Sequence, residues 1–252
     1  MRKTLLISFF ISLSALCSFS QEPFDYNQWV TNLPETVVDI DSNVYHIQKL
    51  GEQVWFTENL KVTRFNNGDE IRFIQTDSLW TISKYPSYSN LIGIRHTSHG
   101  LDSNKTNEIL YNYFVVSDTQ NVCPVGWKVP DTADWNKLES YMEKANEEFS
   151  YATGLIYPPN YKDTIDPETR MDMLWNANYN VGFSSNPYGY RHARTGEFVN
   201  YLDYGYWWSN DSDFIATAWA RIQNRGFGID DIRLEENRGN IQSGYSIKCI
   251  KE

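Results

Sequence analysis

The histidines are the first residues to consider for metal or acid–base chemistry, and their spacing supports neither. The chain has four of them, His46, His96, His99 and His192. None belongs to an HExxH pattern, in which two histidines one helical turn apart bind zinc. The sequence also contains no GxSxG nucleophile elbow and no phosphate-binding P-loop. These absences argue against the enzyme classes that depend on those motifs.

Adjacent carboxylates are the next candidates, because an acid and a base together could hydrolyse a glycosidic bond. Asp230-Asp231 and Glu235-Glu236 are such pairs. Neighbouring residues of a strand point to opposite faces of a sheet, whereas glycoside hydrolysis needs two carboxyl groups that converge on one bond. We therefore expect a protein that is not an enzyme. A secreted glycan-active hydrolase, with its site spread through long loops, is the alternative.

A loop rich in oxygen ligands follows Trp208. Its sequence, Asn210-Asp211-Ser212-Asp213, could contribute to a calcium site, since calcium binds six to eight oxygen atoms. Asp211 and Asp213 are the candidate ligands. A solvated turn explains the same residues, and short Asp/Asn clusters are weak calcium signals, so we favour the turn. No cofactor is expected, and calcium is the alternative that stays open.

Aromatic residues are concentrated just before this loop. They are Tyr201, Tyr204, Tyr206, Trp207 and Trp208. Aromatic faces stack on sugar rings and are frequent in recognition surfaces. Because side chains alternate along a strand, one of Trp207 and Trp208 should face inward and the other outward. The segment is therefore a candidate binding surface.

The first twenty residues predict export. Two basic residues precede the uncharged, largely apolar stretch Leu5–Leu16, and small residues, Ser18 and Ser20, stand just before Gln21. This pattern is typical of a secretory signal peptide, and the stretch is too short for a transmembrane span. Cys17 raises the alternative of a lipoprotein, but Leu16 stands where lipidation prefers a small residue. We expect a secreted or cell-surface protein without a transmembrane segment, and the periplasm is the alternative location.

Two cysteines, Cys123 and Cys249, remain once the signal peptide is removed. An even pair in an exported chain predicts a disulfide, which would join the middle of the chain to its last strand. Two separate buried thiols are the alternative.

Length and composition indicate a globular domain that does not bind nucleic acid. The chain has 252 residues, of which 22 are basic and 32 acidic, so its net charge is −10. Binding to phosphates needs a basic surface, so nucleic acid is excluded as a partner. Hydrophobic residues at 41% and aromatic residues at 15% provide enough apolar surface for a substantial core.

Three kinds of element should build that domain. Val44–Leu50 and Gln53–Glu58 flank Gly51-Glu52 and predict a hairpin that pairs Lys49 with Val54, Ile47 with Phe56 and Tyr45 with Glu58. Residues 132–145 predict a helix, capped by Asp131 and Asp134, with Trp135, Leu138, Met142 and Ala145 on its inner face. Short antiparallel strands are expected at Trp219–Gln223, Gly228–Leu234 and Gly244–Ile250, the last with Tyr245, Ile247 and Cys249 on one inward face.

Several sequence blocks occur in a recognisable order. They are VYHIQKLGEQVWFTENL (44–60), YNYF (111–114), CPVGWKVPDTADWNKL (123–138), VGFSSNPYGYR (181–191), YWWS (206–209), AWARI (218–222) and YSIKCIK (245–251). Together they resemble the Fibrobacter succinogenes major paralogous domain, a family of exported bacterial domains. The resemblance covers residues 44–251, and an insertion at 150–174 is individual to this chain. We divide the chain into a signal peptide (1–20), a lead-in segment (21–43) and this domain (44–252).

The resemblance also carries expectations about fold and function. The ordered aromatics, the helix after CPVGW and the terminal cysteine strand are similar to the C-type-lectin-like fold, an α+β fold with long loops. This implies a non-enzymatic binding module that recognises carbohydrate or a partner protein at the cell surface. By the family pattern Trp208 looks structural, which leaves Tyr204, Tyr206 and Trp207 as the candidate ligand contacts.

Overall fold

The hairpin predicted near the start of the domain is present in the computed structural model of the chain. Its strands β2 (Val44–Leu50) and β3 (Gln53–Phe56) pair Ile47 with Phe56 and Lys49 with Val54, and Gly51 has a φ of 61° in the turn. The predicted Tyr45–Glu58 pair does not form, because the β2–β3 ladder ends at Phe56. Glu58 instead accepts a hydrogen bond on its carboxylate from the backbone N–H of His46, at 2.9 Å.

The structure describes residues 36–91, 95–97, 100–102, 108–153, 183, 188–201, 204–211, 216–224 and 234–252, all within the unit Pro34–Glu252. Side chains at 92–107, 145–153, 223–224 and 234–235 are outside this description. The predicted signal peptide, residues 154–182 and Asp213 lie outside it entirely.

The described residues form fifteen short strands and three helices, so the predicted α+β class is confirmed. Besides β2 and β3, the strands are β1 (Thr36–Val38), β4 (Arg72–Phe73), β5 (Ser87–Asn90), β6 (Arg95–Thr97), β7 (Gly100–Asp102), β8 (Ile109–Tyr111), β9 (Trp127–Lys128), β10 (Tyr190–Arg191), β11 (Phe198–Val199), β12 (Tyr204–Trp208), β13 (Thr217–Asn224), β14 (Leu234–Asn240) and β15 (Ile250–Lys251). The helices are α1 (Asp77–Trp80), α2 (Tyr113–Val116) and α3 (Thr132–Thr153).

The strands form one sheet of five strands and several smaller ones. The five-stranded sheet has the order β1-β2-β3-β15-β9, and two three-stranded sheets have the orders β12-β13-β14 and β4-β5-β8. Two-stranded ribbons join β10 to β11 and β6 to β7. The β4–β5 pair is parallel and the other pairs are antiparallel. Strand β1 lies in the predicted lead-in segment, so part of that segment belongs to the sheet.

The two faces of the first hairpin contact different hydrophobic clusters. On one face, Tyr45 and Phe56 stack with ring centroids 4.7 Å apart and belong to the larger cluster. On the other face, Leu50 and Trp55 belong to a second cluster that packs against α3. Each face of the hairpin therefore contributes to a different cluster.

Helix α3 begins at Thr132 as predicted and continues to Thr153, beyond the predicted end. Its capping box is reciprocal. The N–H of Asp134 donates to the Asp131 carboxylate at 2.9 Å, and the N–H of Asp131 donates to the Asp134 carboxylate at 3.1 Å. The side chains of Trp135, Leu138 and Met142 are buried in the second cluster, which confirms the predicted inner face at these three positions, and the side chain of Ala145 lies outside the description.

The C-terminal third differs in part from the predicted strands. Strand β13 contains the predicted Trp219–Gln223, whereas residues 228–233 lie outside the description and β14 begins at Leu234. The segment from Gly244 runs through the interior and forms single bridges to three other strands before β15. Tyr245, Ile247 and Cys249 are buried as predicted, and so are Ser246 and Lys248 between them.

The predicted disulfide is present between Cys123 and Cys249, whose Cα atoms are 5.9 Å apart. Cys123 precedes β9 by a few residues and Cys249 directly precedes β15. These two strands are neighbours in the five-stranded sheet. A structural disulfide indicates an oxidising compartment outside the cytoplasm. Within the part of the chain that the structure describes, no helix is both long and apolar enough to span a membrane.

Candidate functional site

Trp207 was expected to face outward, and the structure shows that this expectation was wrong. Trp207 and Trp208 lie on opposite faces of β12, and both are buried, with exposed fractions of 1% and 0%. The Trp207 indole contacts Phe183 at 6.0 Å between ring centroids and donates from Nε1 to the Asn59 side chain at 2.9 Å. Alternation along β12 was correctly predicted, but each face of the strand is covered by its own hydrophobic cluster.

The two candidate tyrosines of β12 also differ from the expected exposed surface. Tyr206 is buried, its ring lies 4.7 Å from that of Tyr190, and its hydroxyl oxygen accepts a hydrogen bond from Asn200 at 2.6 Å. Tyr204 is half-buried, with its ring centroid 6.1 Å from that of Tyr206. Of the three predicted contacts, Tyr204 keeps a side chain with access to solvent.

The candidate calcium ligand Asp211 stabilises the start of α3. Its carboxylate accepts hydrogen bonds from the backbone N–H of Thr132 and from the Ser209 hydroxyl, the latter at 3.0 Å. An anionic acceptor at a helix N-terminus also interacts favourably with the helix dipole. Asp213 lies outside the described residues, and within them no group of three or more His, Cys, Asp or Glu side chains could hold a metal ion. These observations give Asp211 a structural role.

Of the carboxylate pairs considered for hydrolysis, one side chain, that of Glu236, lies in the described part of the chain. Asp230 and Asp231 lie outside it, and so does the side chain of Glu235. The Glu236 carboxylate lies 3.1 Å from the guanidinium of Arg221, a buried residue of the neighbouring strand β13. Glu236 therefore neutralises a buried cation.

A buried polar network crosses the centre of the domain. Besides accepting from Trp207, Asn59 donates to the Ser246 hydroxyl at 3.2 Å and to the Glu108 carboxylate at 3.4 Å. Glu108 also lies 3.4 Å from Lys61. Buried polar groups need such partners, because each unsatisfied one destabilises the folded state. The network therefore supports the junction of β12 with the terminal segment.

Lys248 is a fully buried amine beside this network. Its Nζ donates to the backbone carbonyl of Thr57 at 2.6 Å and lies 4.9 Å from the centroid of the Phe183 ring. Burial lowers the pKa of Lys248 from the ordinary value of 10.5 to about 7, and the carboxylates of Glu58 and Glu108 oppose this shift. The folded protein consequently disfavours the charged form of this lysine.

This lowered pKa predicts that stability rises with pH. Between about pH 7 and pH 10.5 the unfolded chain binds a proton at Lys248 that the folded chain does not bind. The free energy of unfolding should therefore increase through this window, with a slope on the order of 1 kcal/mol per pH unit. Urea unfolding curves at pH 7 to pH 9.5 measure this slope. Burial raises the pKa of Tyr45, Tyr111 and Tyr245, so at higher pH these tyrosines would ionise in the unfolded chain before the folded one and would lower stability. The measurement therefore stops at pH 9.5.

Two variants separate Lys248 from the other groups of the protein. Lys248→Met should flatten the slope, because the variant has no amine at this position. Lys251→Met removes an exposed lysine three positions further on and should leave the slope unchanged. An equally steep slope in Lys248→Met would assign the pH dependence to another residue.

Exposed apolar side chains are concentrated in one segment, which runs from the end of β4 to the residues just before β5. Four of the eight large hydrophobic residues that are exposed in the described chain lie within residues 73–85. They are Phe73, Leu79, Ile82 and Tyr85, with exposed fractions of 50%, 54%, 69% and 62%. We call these four side chains the apolar ledge. Isolated exposed hydrophobics are ordinary, but a concentration of them marks an interaction surface.

A buried arginine binds the backbone of the segment that carries the apolar ledge. Arg191 donates from its guanidinium to the backbone carbonyls of Ile74 and Gln75, and it pairs with the Asp77 carboxylate at 2.9 Å. The same guanidinium lies 4.6 Å from the centroid of the buried Trp80 ring. Arg191 thus fixes the first half of the segment to the body of the domain.

The second half of the segment is fixed by side-chain amides. Asn112 donates to the carbonyl of Tyr85 at 2.8 Å and accepts from the N–H of Ser87 at 3.0 Å. Gln242 donates to the carbonyl of Ser83 at 3.1 Å. The backbone is therefore anchored at several points while the ledge side chains remain in solvent. Such a surface is already ordered before it meets a partner.

Sequence reasoning missed the apolar ledge. Residues 72–88 contain no regular period, because α1 has a single turn and the strands beside it are short. The available signal was the block VGFSSNPYGYR, whose final arginine is Arg191, but no local pattern shows that this arginine binds a segment more than a hundred residues earlier. The contact with Arg191 decides which side chains of this segment point inward and which point outward.

The fold and its cross-link define a class of protein: a disulfide-linked α+β domain of an oxidising compartment. Within this class the chain belongs to the Fibrobacter succinogenes major domain family, whose family model matches residues 49–251. This confirms the family resemblance, and Arg191, the disulfide and α3 all lie inside the matched region. No curated protein and no solved structure matches the chain.

Proposed function

We propose that this chain is an exported, non-enzymatic binding module, and that the apolar ledge is its main contact surface. The observation that carries the proposal is the concentration of Phe73, Leu79, Ile82 and Tyr85 on one anchored segment. Burying exposed apolar surface drives most protein association, and an ordered surface loses little conformational entropy on binding. The signal-peptide pattern of residues 1–20 supports export.

We further propose that the domain resembles C-type-lectin-like domains in its general plan. Short sheets, one long helix and a disulfide to the terminal segment support this comparison. In this proposal the ligand is a carbohydrate or a partner protein at the cell surface. Tyr204, which keeps some access to solvent, is a secondary candidate for ligand contact.

A ledge variant tests the contact surface. Phe73, Leu79, Ile82 and Tyr85 are changed together to alanine, and the purified full chain is compared with wild type on arrays of glycans and of bacterial and host surface proteins. We expect at least about a tenfold loss of affinity for every ligand that wild type binds, since central apolar contacts dominate binding energy. Because at least half of each side chain is exposed, the variant should stay folded, with a thermal unfolding midpoint only slightly below that of wild type.

The chain offers a matched control with the remaining exposed apolar residues. Val38, Ile40, Val44 and Val125 are exposed outside the ledge, and the first three lie in or beside β1 and β2. Their joint change to alanine should leave binding intact. Binding that the control abolishes and the ledge variant retains would place the contact surface on the first sheet instead.

A further inference from the structure

The residues around the apolar ledge identify the chemistry of its partner. We propose that the ledge binds a protein segment that carries both apolar and acidic side chains. This inference rests on the proposed function and narrows its ligand from carbohydrate or protein to one class. The charges beside the ledge, the shape of its side chains and the number of cations support it.

The charge beside the ledge is opposite in sign to that of the whole chain. Residues 72–88 carry two exposed cations, Arg72 and Lys84, and a single carboxylate, Asp77. Asp77 is already paired with Arg191, whose side chain is fully buried and cannot meet a partner. The segment therefore presents positive charge to solvent, while the chain as a whole has a net charge of −10. A negatively charged partner is favoured at this place.

Arg72 lies beside Tyr85, on the side of β4 opposite to Phe73. The Arg72 guanidinium is 5.0 Å from the centroid of the Tyr85 ring. Phe73 follows Arg72 on β4 and points to the opposite face, where its ring is 5.3 Å from that of Tyr88. Burial raises the pKa of Tyr88, and the carboxylates of Asp41 and Glu70 add to this shift, so negative charge is already present near the Tyr88 side of β4. Acidic side chains of a partner should accordingly meet Arg72, Tyr85 and Lys84.

The aliphatic members of the ledge favour protein over sugar. Leu79 and Ile82 point outward, while Trp80 and Ser83 beside them are buried, as expected for two faces of a helical turn. Branched aliphatic side chains do not stack on sugar rings as aromatic rings do, but they pack well against the apolar side chains of another protein. Leu79 and Ile82 therefore make the ledge more suitable for a protein segment.

An anionic membrane would also attract cations beside apolar residues, and the count argues against it. Membrane-binding segments typically carry a cluster of about four to eight basic residues. The ledge segment has the two exposed cations Arg72 and Lys84. That number suits pairing with individual carboxylates of a protein and is small for a lipid surface.

Selection from a random peptide library tests the partner class directly. A library of twelve-residue peptides displayed on phage is first depleted on the ledge variant and then selected on the wild-type full chain. We expect the enriched peptides to combine Asp or Glu with Leu, Ile, Phe or Trp, and to carry net negative charge. Enrichment of neutral or basic peptides, or no enrichment over the ledge variant, would overturn the inference.

Charge reversal with a matched control follows the selection. Arg72→Glu with Lys84→Glu should weaken binding of a selected synthetic peptide by about tenfold or more at low salt, and added salt should reduce this difference. Lys49→Glu with Lys251→Glu makes the same change at two exposed cations of the five-stranded sheet, which does not contain the ledge segment, and should have little effect. Equal losses in both variants would show that net charge, and not these two cations, governs binding.

Three further measurements separate other occupants of the ledge from an acidic protein segment. Wild type is tested by co-sedimentation with vesicles of phosphatidylcholine and phosphatidylserine, on a glycan array, and by sedimentation velocity for self-association. Ledge-dependent binding to vesicles or to glycans, with no acidic peptide selected, would overturn this inference and leave the proposed binding surface in place. Ledge-dependent dimerisation would identify a second copy as the occupant. Loss of every ledge-dependent interaction would reject the proposed function as well.

Discussion

Changing Cys123 and Cys249 together to alanine is expected to lower the free energy of unfolding by about 4–5 kcal/mol. The cross-link joins residues separated by 126 positions, and both cysteines are fully buried. Closing so long a loop restricts the unfolded chain far more than the folded one, so its loss mainly stabilises the unfolded state. Urea unfolding of the double variant and of oxidised wild type measures the difference.

Reduced wild type is the control for this experiment. It should unfold at nearly the same urea concentration as the double variant, because both lack the cross-link. Mass spectrometry after alkylation should find no free thiol at Cys123 or Cys249 in native oxidised protein. Two alkylated thiols, or a double variant as stable as oxidised wild type, would contradict the prediction.

Trp135→Ala, in the second hydrophobic cluster, is expected to lower the free energy of unfolding by about 3–5 kcal/mol. The Trp135 ring is fully buried, and its centroid lies 5.0 Å from that of Trp55 and 6.2 Å from that of Phe183. Its removal leaves a cavity that helix α3 and the first hairpin cannot both close. The change is measured by urea unfolding at neutral pH.

Two other tryptophans serve as comparisons for Trp135. Trp207→Ala should be about as destabilising as Trp135→Ala, because Trp207 is buried in the same cluster and its indole N–H binds Asn59. Trp219→Ala should lower the free energy of unfolding by less, since Trp219 is half-buried. The guanidinium carbon of the exposed Arg238 lies 4.4 Å from the centroid of its ring. A Trp135→Ala protein that unfolds like wild type would show that the ring does not support this cluster.

The corrected position of Trp207 shows how far a local pattern predicts a site. Alternation along β12 requires Trp207 and Trp208 to face opposite sides, and the structure has this arrangement. Whether a face is open to solvent depends on what packs on it. Phe183 and Asn59 reach Trp207, and Tyr245 stacks on Trp208 at 4.2 Å between ring centroids. All three residues are distant in the sequence.

The amino-acid sequence alone determined the features that depend on neighbouring residues or on residue type. Gly51 sets the turn and therefore the register of β2 and β3, and Asp131 with Asp134 sets the start of α3. The even pair of cysteines indicated the disulfide, and the ordered blocks indicated the family. These features are legible because turn conformation, capping and side-chain periodicity are local interactions.

Tertiary structure alone decided that each hairpin face contacts its own hydrophobic cluster, and it decided the position of the apolar ledge. Arg191 binds the backbone carbonyls of residues 74 and 75, more than a hundred positions earlier in the chain, and this contact holds the ledge segment in place. The Trp80 ring is buried against the Arg191 guanidinium, and its neighbours Leu79 and Ile82 consequently point outward. Long-range contacts of this kind leave no period in the segment they position, so only the folded chain shows which apolar residues remain exposed.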